Sequence, residues 1–322
     1  MQVRPRRLRT SAALRALVRE TQVTPAHLVL PMFVREGEGE ATPIGSMPGH
    51  ARLSVDRLVE RAAEAQGLGI SGVALFPVID DAEKDPRGSA SAKPDGLLQR
   101  AVRALKRALP ELLVVTDVAL DPYSSDGHDG VLVDGRIDND ETLPILAEMA
   151  LSQARAGADV VAPSDMMDGR VGAIRSALDA AELTDVAIGS YCAKYASSFY
   201  GPFREALDSA PRAGDKKTYQ MDPANAREAL RELALDEAEG ADWVMVKPGL
   251  PYLDVIRLFR EHTRLPVAAY HVSGEYSMLK AAAEHGWLDY DACLLESLVS
   301  LKRAGADVIF SYGALDAARL LG

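Results

Sequence analysis

Cysteine is nearly absent: Cys192 and Cys293 are the only two in 322 residues. Two thiols exclude a disulfide framework and a four-cysteine zinc site. Their scarcity fits a reducing compartment, and a cytoplasmic location is the expectation. Long apolar runs are missing as well. No stretch approaches the roughly 20 apolar residues of a membrane span, and the start of the chain has no apolar signal core. Basic residues are outnumbered, 36 Lys and Arg against 47 Asp and Glu, for a net charge of −11. That balance argues against nucleic acid or an anionic membrane as a partner. The positive charge that exists is gathered at one end, where Arg4, Arg6, Arg7, Arg9, Arg15 and Arg19 stand close together. An Arg-rich, acid-poor start is compatible with a mitochondrial presequence. The preferred expectation is an arm over residues 1–25 that packs on another subunit, because Leu8, Leu14, Leu17 and Val18 need cover.

What is present is a regular alternation. Eight short apolar runs, at 28–34, 72–78, 112–120, 158–163, 186–191, 241–247, 267–271 and 306–311, read as strands. Segments with helical spacing precede all but the first, at 55–66, 96–109, 143–156, 171–181, 224–239, 252–262 and 276–304. Such alternation builds a parallel sheet with helical crossovers. Eight units in one chain of this length fit a (β/α)₈ TIM barrel better than a doubly wound sheet. Gly157-Ala-Asp, Gly240-Ala-Asp and Gly305-Ala-Asp recur before three of the strands, where glycine is a helix C-cap signal. No linker divides the chain. The predicted organisation is an α/β barrel over residues 26–322 preceded by the N-terminal arm.

In such a barrel, chemistry gathers at the C-terminal strand ends. Lys194 and Lys247 stand at two of them, each closing an apolar run. An ammonium is costly to bury, and apolar walls or a second cation lower its pKa, leaving a neutral amine. A neutral amine attacks a carbonyl to form a Schiff base. Either lysine alone reads as an ordinary strand-end residue reaching for solvent. Both together point to one cavity that holds two carbonyl substrates. Asp117, Asp121, Ser164, Asp165, Tyr270, His271, Ser273, Ser311 and Tyr312 stand at other strand ends on the same rim.

The segment Gly240-Ala-Asp-Trp-Val-Met-Val-Lys247-Pro-Gly-Leu-Pro-Tyr252 resembles the active-site signature of porphobilinogen synthases, also called 5-aminolaevulinate dehydratases. Ser190-Tyr-Cys-Ala-Lys194, Ala162-Pro-Ser-Asp-Met-Met-Asp-Gly-Arg170, Tyr219-Gln-Met-Asp-Pro-Ala-Asn225 and Tyr270-His-Val-Ser-Gly-Glu-Tyr276 agree with the same family, in order and across nearly the whole chain. The resemblance implies a TIM barrel assembled as a homo-octamer. It also implies a reaction that joins two 5-aminolaevulinate molecules into porphobilinogen with loss of two waters. By this resemblance Lys247 holds the propionate-side substrate and Lys194 the acetate-side one. Arg204, Lys216 and Gln220 would clamp the acetate-side carboxylate, although family members often carry arginine where Lys216 stands. Ser273 and Tyr312 would meet the propionate-side carboxylate, and Tyr200, Phe203 and Tyr270 would wall the cavity. Asp117 would contact the substrate amine, and Ser164 is a further substrate-binding candidate. The segment 195–221 reads as an active-site lid.

The metal pattern departs from many relatives. Ala119, Asp121 and Asp129 stand where those carry three cysteines, so a catalytic three-thiolate zinc site is excluded. Asp121 and Asp129 are candidate ligands for Mg²⁺ or a monovalent cation, or hold no metal. Glu232 matches the position where Mg²⁺-stimulated relatives bind an allosteric Mg²⁺, with Asp165 as an outer-shell partner. Two other readings stand beside this one. One is a different class I aldolase-like Schiff-base barrel enzyme, which would need a phosphate cradle after the seventh and eighth strands. The other is a non-enzymatic binding protein on the same scaffold.

Overall fold

The apolar runs become strands buried on both faces, which is why they read as continuous rather than alternating. They are β1 (Leu28–Val34), β2 (Gly72–Pro77), β3 (Leu113–Val118), β4 (Val160–Pro163), β5 (Ala187–Lys194), β6 (Trp243–Lys247), β7 (Val267–His271) and β8 (Val308–Ser311). The structure is a computed structural model and describes residues 3–207, 209 and 211–322. Each strand pairs in parallel with the next, and β8 returns to β1 through Leu28↔Ile309 and Val29↔Phe310. That pairing closes an eight-stranded parallel barrel.

Helices α1 (Val55–Gly67), α2 (Leu97–Ala108), α3 (Asn139–Ala156), α4 (Arg170–Ala180), α5 (Arg227–Ala238) and α6 (Leu253–His262) carry the chain from one strand to the next. The last crossover differs from the single helical segment expected over 276–304. It is two helices, α7 (Ser273–Glu284) and α8 (Tyr290–Ala304). Gly286 takes a φ of 68° between them, a left-handed conformation that ends a helix and that glycine adopts without strain. The Gly-Ala-Asp glycines behave as expected: Gly157, Gly240 and Gly305 all have positive φ.

Two apolar layers result. Phe33, Phe76, Tyr191, Met245, Tyr270 and Phe310 fill the barrel interior, while a second cluster packs the outer strand faces against the helices. Ahead of β1, a 3₁₀ turn (Pro5–Arg9) and a short helix (Ala12–Leu17) bury no residue. Leu8 and Leu17 are exposed on them, and Val3 and Val18 are exposed beside them. Among the described residues no helix is long and apolar enough to cross a membrane.

Candidate active site

The two lysines are neighbours because β5 is irregular. On β6, Trp243 and Met245 face the barrel interior, so alternation turns Lys247 inward too. On β5 alternation from the inward Tyr191 would send Lys194 outward. The register prevents this. Val244 pairs with Ser190 but Val246 pairs with Ala193, so β5 carries one more residue than β6 between those points. Such a bulge resets the face that later side chains present. Tyr191 faces the interior, Cys192 and Ala193 both face the helices, and Lys194 comes back to the mouth as the register partner of Lys247.

Lys247 is 5% exposed. The aromatic rings of Tyr191, Tyr200, Phe203 and Tyr270 surround its Nζ at 5.0, 5.4, 4.9 and 4.5 Å from their centroids. Burial, and then the neighbouring Lys194 charge, pull its pKa down to about 7. The ring faces attract a cation and work the other way. Near neutrality the amine and the ammonium are therefore both populated.

Lys194 has a different environment. Its Nζ donates to Asp129 at 3.3 Å and to the Ser164 carbonyl. Lys216 reaches the same acid, donating to Asp129 at 2.8 Å and to Asp121 at 3.2 Å. Asp129 is fully enclosed, and burial alone would raise its pKa; the ammoniums of Lys194 and Lys216 outweigh that and hold it well below the usual carboxylate range. Asp121 is raised by burial in spite of Lys216. Asp117, with Ser164 as a hydrogen-bonding neighbour, is pushed up to about 7 by burial and by Asp121. The mouth thus holds acids and amines whose protonation states are spread apart, as acid–base chemistry requires.

One cavity gathers Asp117, Asp121, Ser164, Lys194, Tyr200, Phe203, Arg204, Lys216, Gln220 and Lys247. The Gln220 side chain lies 3.5 Å from Asp129. Arg204 is half-buried on the short helix Gly201–Leu207, and no carboxylate pairs with it among the described residues. Tyr270 and Tyr312 lie on the far side of Lys247, their hydroxyls 3.1 Å apart. Ser273 is fully buried and its Oγ accepts the Phe203 N–H at 3.0 Å. The free space is only about 20 Å³, the scale of a single water, because the segment after β5 is folded over the mouth. A wider cavity, about 1040 Å³, lies elsewhere, between residues 132–139 and 213–222, and reaches Glu232. The mouth is the candidate reactive site, because both lysines face it.

Sequence reasoning missed three parts of this site. Tyr191 walls Lys247, and its place in the Ser190–Lys194 run was a usable signal. Phe33 and Phe76 pack on Phe203, with ring centroids 5.9 and 5.2 Å away, and they carry no signature beyond being apolar. Ser209 lines the cavity with an unpartnered buried hydroxyl, and nothing in the sequence marks it.

A second polar cluster lies behind β5. Arg170 is buried and donates to Asp236 at 2.7 Å and 3.2 Å, and Ser190 donates to the same carboxylate. Glu232 is pushed up to about 7 by burial against the pull of Arg170. Asp165 accepts the Met167 N–H at 2.7 Å with one oxygen, while its other oxygen is buried without a partner. Among the described residues no group of three or more His, Cys, Asp or Glu side chains is arranged to hold a metal ion.

A closed parallel barrel with two register-paired amines at its C-terminal mouth is an arrangement suited to enzymes of carbonyl chemistry. The chain belongs to the delta-aminolevulinic acid dehydratase family, whose pattern matches residues 2–320. The chain is 60% identical to the chloroplastic delta-aminolevulinic acid dehydratase of Physcomitrium patens over 323 residues, spanning 100% of this chain and 74% of that protein. It is 60% identical to the chloroplastic enzyme of Glycine max over 320 residues, spanning 99% and 77%. The crystal structure of delta-aminolevulinic acid dehydratase (porphobilinogen synthase) from Toxoplasma gondii ME49, in complex with the reaction product porphobilinogen, matches with a TM-score of 0.98 and 55% identity. It covers 99% of this chain and 92% of that one. The plant relatives overturn the expected cytoplasmic location, since they are chloroplastic enzymes. The physical reason is that scarce cysteine reports only that no disulfide framework is built. It does not distinguish one compartment from another.

Proposed function

We propose that Lys247 and Lys194 divide the work of one condensation. The protein is a porphobilinogen synthase, a lyase that joins two molecules of 5-aminolaevulinate into porphobilinogen. The observation that carries the division of work is the buried amine of Lys247, register-paired with Lys194. In this reading the neutral Lys247 amine adds to the ketone of the first substrate and water leaves, giving a protonated imine that acidifies the adjacent carbon. Lys194 holds the second ketone likewise, once it has given up a proton and left its pair with Asp129. Holding both in one closed mouth removes a bimolecular encounter worth up to roughly 7–11 kcal/mol.

Arg204 is the carboxylate clamp in this reading, since it lines the cavity and pairs with no carboxylate among the described residues. Lys216 and Gln220 join it only by exchanging an aspartate for the substrate carboxylate. Ser273 and Tyr312 serve the propionate-side carboxylate, and the Ser273 O–H is free to donate to it while its Oγ still accepts the Phe203 N–H. Asp117 and Ser164 face the substrate amine, while Tyr200, Phe203 and Tyr270 exclude water around Lys247. With so little free space in the mouth, residues 195–221 act as a lid that opens for substrate and for product.

Asp121 and Asp129 do not fit a divalent metal here, because the Lys216 ammonium already lies within 3.2 and 2.8 Å of them. No step is routed through a metal at that place. Glu232 does fit a hydrated Mg²⁺. It is one half-enclosed carboxylate opening on a wide cavity, and the orphaned Asp165 oxygen lies in the same polar cluster around Arg170. One carboxylate with retained waters suits this ion. Bound there, Mg²⁺ would supply charge that keeps Glu232 ionised and would act allosterically, away from the lysines. The exposed apolar residues of the arm over residues 1–25 support its packing on another barrel, with residues 26–322 as the catalytic unit and a homo-octamer as the assembly.

The aldolase reading loses its anion site. After the seventh strand the Val272 amide donates to the buried carboxylate of Glu275, and after the eighth the Gly313 amide donates to the Ser311 hydroxyl. Purified protein given 5-aminolaevulinate should yield porphobilinogen in a pyrrole colour reaction, and Lys247→Ala should yield none. Full activity in that variant would remove the Schiff-base role.

A further inference from the structure

The turn that follows Lys247 is tied down by an acid outside the cavity. Glu275 lies in the first turn of α7 and is 1% exposed. One carboxylate oxygen accepts the Leu250 N–H at 2.6 Å. The other accepts the Val272 N–H at 2.7 Å and the Gly249 N–H at 3.4 Å. Burial pushes its pKa up to about 7, and the three amides pull it the other way. A glutamate that merely caps its helix needs the bond to Val272 alone. The bonds to Gly249 and Leu250 cross to the loop after β6.

The same turn is held from its other end. The Lys247 carbonyl accepts the Tyr200 hydroxyl at 3.1 Å and the Tyr195 N–H at 3.0 Å. Gly249 is pressed against β7, where a Cβ would stand 3.0 Å from the Tyr270 carbonyl oxygen. Little slack remains around the reactive lysine. The start of α7 also meets the lid, since Ser273 Oγ holds the Phe203 amide and a Cβ on Gly274 would stand 2.4 Å from the Phe199 carbonyl oxygen.

We propose that Glu275 is a positioning residue for Lys247. Its carboxylate fixes the turn 248–250 against the start of α7, so that the lysine amine meets the substrate ketone in one geometry set relative to the closed lid. This rests on the Schiff-base reading of Lys247. Glu275→Gln keeps the side chain's size but turns an amide donor toward backbone donors, which releases part of the turn.

The experiment treats the full-length protein and Glu275→Gln with 5-aminolaevulinate and borohydride, locates the reduced adducts by peptide mapping, and measures kcat and KM alongside. Trapping at Lys247 should slow by about 10- to 100-fold, the loss that a small misplacement of a reacting group causes. The kcat should fall with it while KM and trapping at Lys194 change far less. A purely structural glutamate would lower thermal stability and leave trapping per folded molecule unchanged, which would overturn the inference. A wild type with no adduct on Lys247 overturns the Schiff-base reading and this inference with it. A wild-type adduct that Glu275→Gln forms equally fast overturns the inference alone. Should the variant not fold, hydrogen exchange on the wild type decides: the Leu250 amide should be protected like those of β6, and fast exchange there would contradict the anchor.

Discussion

Lys247 and Lys194 are register partners on adjacent strands, yet only Lys194 is paired with a carboxylate, Asp129. The asymmetry separates their chemistry. Lys194 has a fixed anionic partner, while Lys247 is surrounded by rings and has its pKa drawn down to about 7 by burial and by the Lys194 charge.

A pH dependence follows with a definite sign. The neutral amine of Lys247 grows as pH rises through about 7, so borohydride trapping at Lys247 should climb across neutrality. In Lys194→Met the neighbouring positive charge is gone, and the ammonium of Lys247 becomes easier to keep. The midpoint of the trapping curve should move to higher pH in that variant. An unchanged or lower midpoint would show that the two amines are not coupled.

Lys216 should matter for stability as well as for substrate. It is 7% exposed and ion-paired with Asp121 and Asp129. Lys216→Met leaves two buried acids with less counter-charge, and losing one partner of a buried pair typically costs about 3–5 kcal/mol. Urea unfolding should show a loss of that order. Lys216→Arg keeps the charge and should recover most of it.

Magnesium should act through Glu232. Protein stripped with EDTA should regain activity with Mg²⁺ and not with Zn²⁺, and Glu232→Gln should lose the Mg²⁺ response. Activity indifferent to EDTA in the unaltered protein would remove the metal from Glu232 and leave the lysine chemistry standing.

The arm should act through assembly. Deleting residues 1–25 should lower the mass measured by light scattering and lower activity with it. A truncated protein with unchanged mass and activity would show that the exposed Leu8, Leu17 and Val18 serve no contact between subunits.

The barrel was legible because each strand is a buried apolar run with its own punctuation. β1 and β7 have the limits that the hydrophobic pattern predicts, and the others shift by a few residues. The helix pair α7 and α8 was read as one segment because a single glycine, Gly286, is weak punctuation inside a helical pattern. At the site, both lysines were visible as strand-end cations. That Lys194 faces the mouth at all was not, because its direction depends on a bulge opposite Met245 that only the pairing of β5 with β6 reveals. Lys216 was visible as a charge, but its partners Asp121 and Asp129 lie 95 and 87 residues away. Glu275 lies just ahead of the helical segment that the sequence predicts at 276–304, and its hold on Leu250 is a contact of the folded chain alone.

The fate of Lys247 during turnover decides whether the reaction runs through a Schiff base. Protein mixed with 5-aminolaevulinate and reduced with borohydride should carry the reduced substrate imine on the peptide containing Lys247, with pyrrole formation lost in proportion. Porphobilinogen made at full rate by protein whose Lys247 stays unmodified would contradict the Schiff base.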